Sequence, residues 1–147
     1  MVGGDAMTET RRRAHVERIP IRWGDMDAMD HVNNTVYFRF MQEARICGFG
    51  RLRMPEDARR SIGIVIANAS CDYRRALAYP GTVEIRLFVG APGGSGVPTG
   101  YELRREEEAQ LRADDVATWV FVDMATRRPE RISDAVRARL EGAGAAA

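Results

Sequence analysis

Lysine is missing from this chain: all 22 of its Lys and Arg positions are arginine. That bias reads mainly as coding preference, although the guanidinium also suits phosphate recognition. Histidine is nearly as scarce, with His15 and His31 the only two, so a histidine-built metal centre lacks ligands. Cys47 and Cys71 are the only cysteines, and they stand at neither zinc-site nor redox spacing. With no secretory signal in view, they suit a reducing, cytoplasmic setting. No apolar run approaches the roughly 20 residues that span a bilayer, so no membrane insertion is expected. No serine lies in a Gly-x-Ser-x-Gly elbow, and Gly93-Gly94-Ser95-Gly96 lacks the strand-to-helix context of a phosphate loop. A net charge of +1 gives no reason to expect nucleic acid as a partner.

What remains is an ordinary globular composition, 45% hydrophobic and 29% charged over 147 residues, which suits one domain. Residues 1–13 are small, polar or charged without periodicity and read as a disordered segment. The domain is expected over residues 14–141, followed by a loose Gly/Ala tail at 142–147. His15 to Trp23 alternates as a first strand, with Pro20 placing it at an edge or a bulge. A helix starts near Asn33, carrying Tyr37, Phe40, Met41, Ala44 and Cys47 at helical spacing. Val36, Phe38, Ile46 and Phe49 widen that stripe until the helix reads as buried, with Gly48 and Gly50 as its stop. Ile62–Tyr73 reads as a strand covered on both faces, and Thr82–Val89 as a second clean strand. A loop is expected at 91–100, a strand from Tyr101 to Arg105 and a charged hairpin at 106–115. A central strand at 116–125 and a short helix capped by Ser133 complete the series. Strand, long helix, four strands and short helix make an α+β domain with one sheet around a helix.

The organising stretch runs from Arg22 to Arg45. Asp25, Asp27, Asp30, His31, Asn33 and Asn34 are packed immediately before the helix. A helix N-terminus offers unpaired N–H groups and the positive end of the macrodipole. A carboxylate held beside such donors can attack or activate water while the donors hold an oxyanion, as acyl transfer requires.

This stretch closely resembles the Asp-x-Asp-x-x-Gly-His-Val-Asn-Asn-x-x-Tyr pattern of hotdog-fold thioesterases of the 4-hydroxybenzoyl-CoA thioesterase class. The matching residues are Asp25, Asp27, His31, Val32, Asn33, Asn34 and Tyr37. Asp30 replaces the usual glycine, at a loop position where φ > 0 is a candidate and Asp is better tolerated than most residues. Asp72-Tyr73 with Tyr79-Pro80-Gly81-Thr82-Val83-Glu84, and Trp119-Val120-Phe121-Val122-Asp123, resemble the family's later strands.

The resemblance implies an α+β hotdog fold, an antiparallel five-stranded sheet wrapped around a long central helix. It implies hydrolysis of an acyl-CoA thioester to a carboxylic acid and free coenzyme A, with no cofactor beyond the coenzyme in the substrate. It makes Asp27 the catalytic carboxylate and the Asn34 backbone N–H the oxyanion donor. It also implies a homodimer or homotetramer with the site at a subunit interface. His31, Asn33 and Tyr37 become candidate substrate contacts.

Each has a plainer reading. Asp25 and Asp27 are also good turn and dipole partners, Asn33 and Asn34 good caps, and Tyr37 a good core aromatic. His31 can satisfy loop backbone instead of substrate. Glu43 is a competing carboxylate that, beside Arg45, suits an ion pair on the helix's polar edge. Asn68 is a polar residue in an apolar strand, a weak candidate for an interface or the site. The pairs Arg74-Arg75, Arg104-Arg105 and Arg127-Arg128 could meet coenzyme phosphates but read as solvated surface. Two further classes stay open: a non-catalytic acyl-CoA or acyl-carrier-protein binding module, and a hotdog hydratase or dehydratase.

Overall fold

A computed structural model describes residues 11–55 and 61–142. The strands are β1 (Arg12–Pro20), β2 (Ile62–Tyr73), β3 (Thr82–Val89), β4 (Gly96–Arg105) and β5 (Leu111–Asp123). The helices are α1 (Asn34–Arg51) and α2 (Asp134–Glu141), with a 3-10 turn at Trp23–Asp25. One five-stranded sheet has the order β1-β3-β4-β5-β2, every neighbouring pair antiparallel. The helix α1 follows the first strand and covers one face.

Period-two alternation on β3 shows how the sheet chooses its faces. Val83, Ile85, Leu87 and Val89 are buried toward the helix, while Thr82, Glu84, Arg86 and Phe88 alternate with them. On β5, Ala113, Ala117, Trp119 and Phe121 take the same inner face. The helix answers with Tyr37, Phe40, Met41, Ala44 and Gly48. Its backbone comes very close at Gly48, where a Cβ would lie 2.6 Å from Leu87 Cδ2 and 3.2 Å from His15 Cβ. Phe49 then meets Trp119 edge-on at 6.2 Å between ring centroids. Among the described residues no helix is long and apolar enough to cross a membrane. The helix against one face of this sheet is the hotdog arrangement.

Asn33 caps α1 and Ser133 caps α2, each side-chain oxygen accepting a first-turn N–H as expected. Several boundaries differ from the sequence reading. The first strand begins at Arg12, inside the segment expected to be disordered, and ends at Pro20; residues 1–10 lie outside the described residues, as do 143–147 of the tail. Trp23 belongs to the 3-10 turn and is exposed. The expected loop at 91–100 and hairpin at 106–115 are shorter, because β4 starts at Gly96 and β5 at Leu111. Pro98 is accommodated because β3 has ended by then: its last pair is Val89 with Thr99.

The strand β2 has the expected bounds but is not covered on both faces. It is one of the sheet's two outer edges, opposite β1, and Ile64 is half-buried while the run from Val65 to Ser70 is exposed. The helix is likewise not wholly buried. Its apolar excess, Phe38 and Ile46 with Cys47, points outward.

Candidate active site

The loop between the 3-10 turn and α1 is built by its own backbone. Asp27 N–H donates to the His31 carbonyl (3.0 Å), and Asp30 N–H to the Asp27 carbonyl (3.0 Å). Closing so tight a loop puts Asp30 at φ 65°, the left-handed conformation that a glycine would adopt freely. Val32 N–H donates to the Leu77 carbonyl (2.8 Å) and Asn33 N–H to the Asp25 carbonyl (2.9 Å), tying the loop to the core and to the turn before it.

The two aspartates of the motif are separated by environment. Asp25 is 2% exposed, and its carboxylate accepts from Arg22 N–H (2.8 Å) and from Arg39 Nη2 on the helix (2.7 Å). It is a buried brace between turn and helix. Asp27 is half-buried and faces a cleft. Its Oδ1 accepts from Met29 N–H at 2.9 Å and its Oδ2 from Asn33 Nδ2 at 3.1 Å.

At the head of α1 the first-turn donors divide. Thr35 N–H is taken by Asn33 Oδ1 (2.9 Å) and Val36 N–H by the Asn33 carbonyl (3.0 Å). Asn34, the first helical residue, has no carbonyl a turn behind it to accept its N–H. Among the described residues nothing takes that proton. Asn34 lines the same cleft as Asp27.

The cleft holds about 240 Å³ and is lined by Asp27, His31, Val32, Asn34, Tyr37, Tyr73, Arg74, Arg75 and Ala76. One wall comes from α1 and its approach loop, the other from the end of β2 and the segment after it. Tyr73 joins them: its hydroxyl donates to the Asn34 carbonyl at 2.8 Å, and its ring meets Tyr37 edge-on at 5.0 Å. Burial, with the neighbouring Cys71 adding, pushes the Tyr73 hydroxyl up to about 12, so it stays a donor at neutral pH. Burial likewise pushes the Cys71 thiol up to about 12, with the Asp115 charge adding, which makes it a poor nucleophile. Burial raises Tyr37 as well.

Of the residues singled out from sequence, Asp27, His31, Asn34 and Tyr37 meet in this cleft. Asn33 stands behind Asp27, positioning the carboxylate and capping the helix. His31 uses Nδ1 on the Val32 carbonyl (3.2 Å), and Tyr37 is buried beneath the cleft and lines it. Glu43 lies exposed on the helix outside the cleft, and Asn68 is exposed on β2, accepting from Thr118 Oγ1 at 3.2 Å. Tyr73, at the end of its strand, and Arg74 and Arg75, which read from the sequence as solvated surface, also line the cleft. Their place follows from β2 pairing with β5 and running back to the helix head, a long-range relation that local patterning does not carry. Among the described residues no three His, Cys, Asp or Glu side chains gather as a metal site.

A family model described as the thioesterase-like superfamily matches residues 21–140. Among curated proteins, the chain is 26% identical over 125 residues to the long-chain acyl-CoA thioesterase FadM of Escherichia coli, covering 84% of this chain and 95% of that one. Among solved structures, the PA2801 protein of Pseudomonas aeruginosa is 30% identical with a TM-score of 0.77, covering 86% of this chain and 98% of that one. A DHNA-CoA thioesterase of Staphylococcus aureus, 17% identical, shares the fold with a TM-score of 0.72 over 84% of this chain and 81% of that one.

Proposed function

The chain belongs to the thioesterase-like superfamily, and from that premise we propose that it hydrolyses acyl-CoA thioesters to a carboxylic acid and free coenzyme A. The observation that carries this reading is the meeting of the Asp27 carboxylate and the unclaimed Asn34 N–H in one cleft. The thioester carbon sits between them. Asp27 either attacks that carbon or takes a proton from the water that does, and the Asn34 N–H, at the positive end of α1, receives the charge that grows on the carbonyl oxygen. Collapse of the tetrahedral centre breaks the carbon–sulfur bond, and the coenzyme leaves as its thiol. By the first route a water then opens the mixed anhydride, restoring the Asp27 carboxylate and supplying the proton that the departing thiolate takes up. Met29 N–H and Asn33 Nδ2 hold the carboxylate in place, so it is oriented before the substrate arrives.

The exposed edge of β2, with Val65 and Ile66 beside it, supports action as a homodimer or larger homo-oligomer, because an apolar edge of unpaired backbone groups calls for a second strand.

The test is thiol release from a panel of short, long and aromatic acyl-CoAs by the parent protein and by Asp27→Asn. Loss of a positioned base or nucleophile is expected to lower kcat by about 10²–10⁴-fold with folding intact. Full turnover in the variant overturns the role of Asp27. Binding of acyl-CoA without thiol release by the parent protein favours a non-catalytic binding module.

A further inference from the structure

We propose that Arg75 binds an oxyanion carried by the substrate, at the edge of the Asp27 cleft. The inference rests on the thioesterase reading and adds a recognition element to the same site.

Three arginines meet in this part of the molecule, and their charges are spent differently. Arg74 lies along Asp114, with Nε–Oδ1 2.7 Å and Nη2–Oδ2 3.3 Å. Arg112 pairs with Glu108 at 2.7 Å and gives Nη1 to the Ala76 carbonyl at 2.6 Å. Arg75 faces a neutral partner: the Gln110 amide, oriented by its hydrogen bonds, accepts from Nε at 2.7 Å and from Nη2 at 3.1 Å. Among the described residues Arg75 forms no ion pair and its Nη1 has no partner. An amide carbonyl orients a guanidinium without neutralising it, and the free edge keeps donors for an incoming anion.

The backbone beneath is fixed too, since Arg74 and Arg75 both donate their N–H groups to the Arg112 carbonyl, at 2.8 and 3.0 Å. An uncompensated cation, exposed and held by Gln110 in the wall of a cleft that also holds the reacting carboxylate, fits an anion at a distance from the thioester carbon. Two parts of an acyl-CoA offer one: the phosphates of the coenzyme, and a carboxylate at the far end of the acyl group.

Steady-state kinetics on the parent, Arg75→Gln and Arg75→Lys separate them, using a neutral acyl-CoA, the matching N-acetylcysteamine thioester and an ω-carboxyacyl-CoA of equal length. If the anion is a phosphate, Arg75→Gln raises KM about 10-fold for both coenzyme esters, leaves kcat nearly unchanged and spares the N-acetylcysteamine ester. If it is the acyl carboxylate, only the ω-carboxyacyl ester suffers. In either case Arg75→Lys restores part of the loss. Equal losses on all three esters, or none, overturn the proposal. Equilibrium titration of the same proteins with coenzyme A and with glutarate reads the cation without turnover. Unchanged affinity for both in Arg75→Gln overturns the proposal even if no ester is hydrolysed, whereas an inactive protein with Arg75-dependent affinity overturns the thioesterase reading alone.

Discussion

Asn33 Nδ2 stands 3.1 Å from Asp27 Oδ2 while the Oδ1 of the same amide caps helix α1. One side chain thus sets both the carboxylate and the helix end that delivers the neighbouring N–H. Asn33→Ala is expected to lose both, costing about 1 kcal/mol of stability and a large part of kcat. Asn33→Asp separates them. The cap oxygen survives, so the denaturation midpoint stays close to the parent's, while a second carboxylate beside Asp27 repels it and turnover falls. Retained turnover in Asn33→Asp would show that the amide serves only the helix.

Asp25 gives the opposite prediction. Its carboxylate is buried against Arg39 and Arg22, so Asp25→Ala strands the helix's arginine and opens a polar void. Arg39 keeps enough exposure to turn toward water, which places the cost near 2–3 kcal/mol, below that of a fully enclosed pair. Urea denaturation reads it. An Asp25→Ala protein with parental stability but no activity would move Asp25 from brace to reactant.

Asp115 is expected to contribute less to stability as pH rises. It is buried on the inner face of β5, its Oδ1 has no partner among the described residues, and burial raises its pKa to about 7. In the unfolded chain an aspartate titrates near about 3.9. Between those values the folded state holds the extra proton, so the penalty is absent below about pH 4, grows as pH rises, and is complete above about pH 7. Asp115→Asn is expected to match the parent at about pH 4 and to exceed it by about 2–4 kcal/mol at pH 8. Thermal melts across that range decide it: parallel curves for the two proteins would refute the assignment.

Asp30 tests the loop. At φ 65° a glycine relieves side-chain strain but loosens the unfolded chain, so Asp30→Gly is expected to change stability by less than about 1 kcal/mol. Asp30→Val puts a branched Cβ into the left-handed region, with an expected cost of more than about 1 kcal/mol and reduced turnover as the Asp27 loop shifts. Melting temperature and kcat of the two variants, measured together, check both halves.

Much of this molecule was legible in its sequence because the relevant physics is local. The Asn33 cap, the Ser133 cap, the alternation of Thr82–Val89 and the core positions Tyr37, Phe40, Met41 and Ala44 of α1 all follow from local patterning. So does the left-handed position at Asp30. Phe38, Ile46 and Cys47, by contrast, read as buried and are exposed, and the helix runs through Gly48 and Gly50 to Arg51. The residues that resisted reading are those whose environment is set by distant pairing. Ile62–Tyr73 is apolar enough for a central strand, yet the order β1-β3-β4-β5-β2 puts it at the edge. Arg74 and Arg75 look alike in the chain, and only Asp114 and Gln110, about forty and thirty-five positions away, make one neutralised and the other free. Tyr73 looked like one more strand aromatic until its hydroxyl reached the Asn34 carbonyl.

The contact at Gly48 makes α1 a lever. The helix rests on the side chains of Leu87 and His15 at a point where it contributes no side chain of its own. Asn34 lies fourteen residues toward the other end, about 21 Å away at 1.5 Å per residue. Over that arm, a tilt of about 3° at the fulcrum carries the Asn34 N–H through about 1 Å, a displacement that can cost about 100-fold in rate. A single methyl group added at Gly48, far from any reacting atom, would therefore be felt as an aiming error at the other end of the helix.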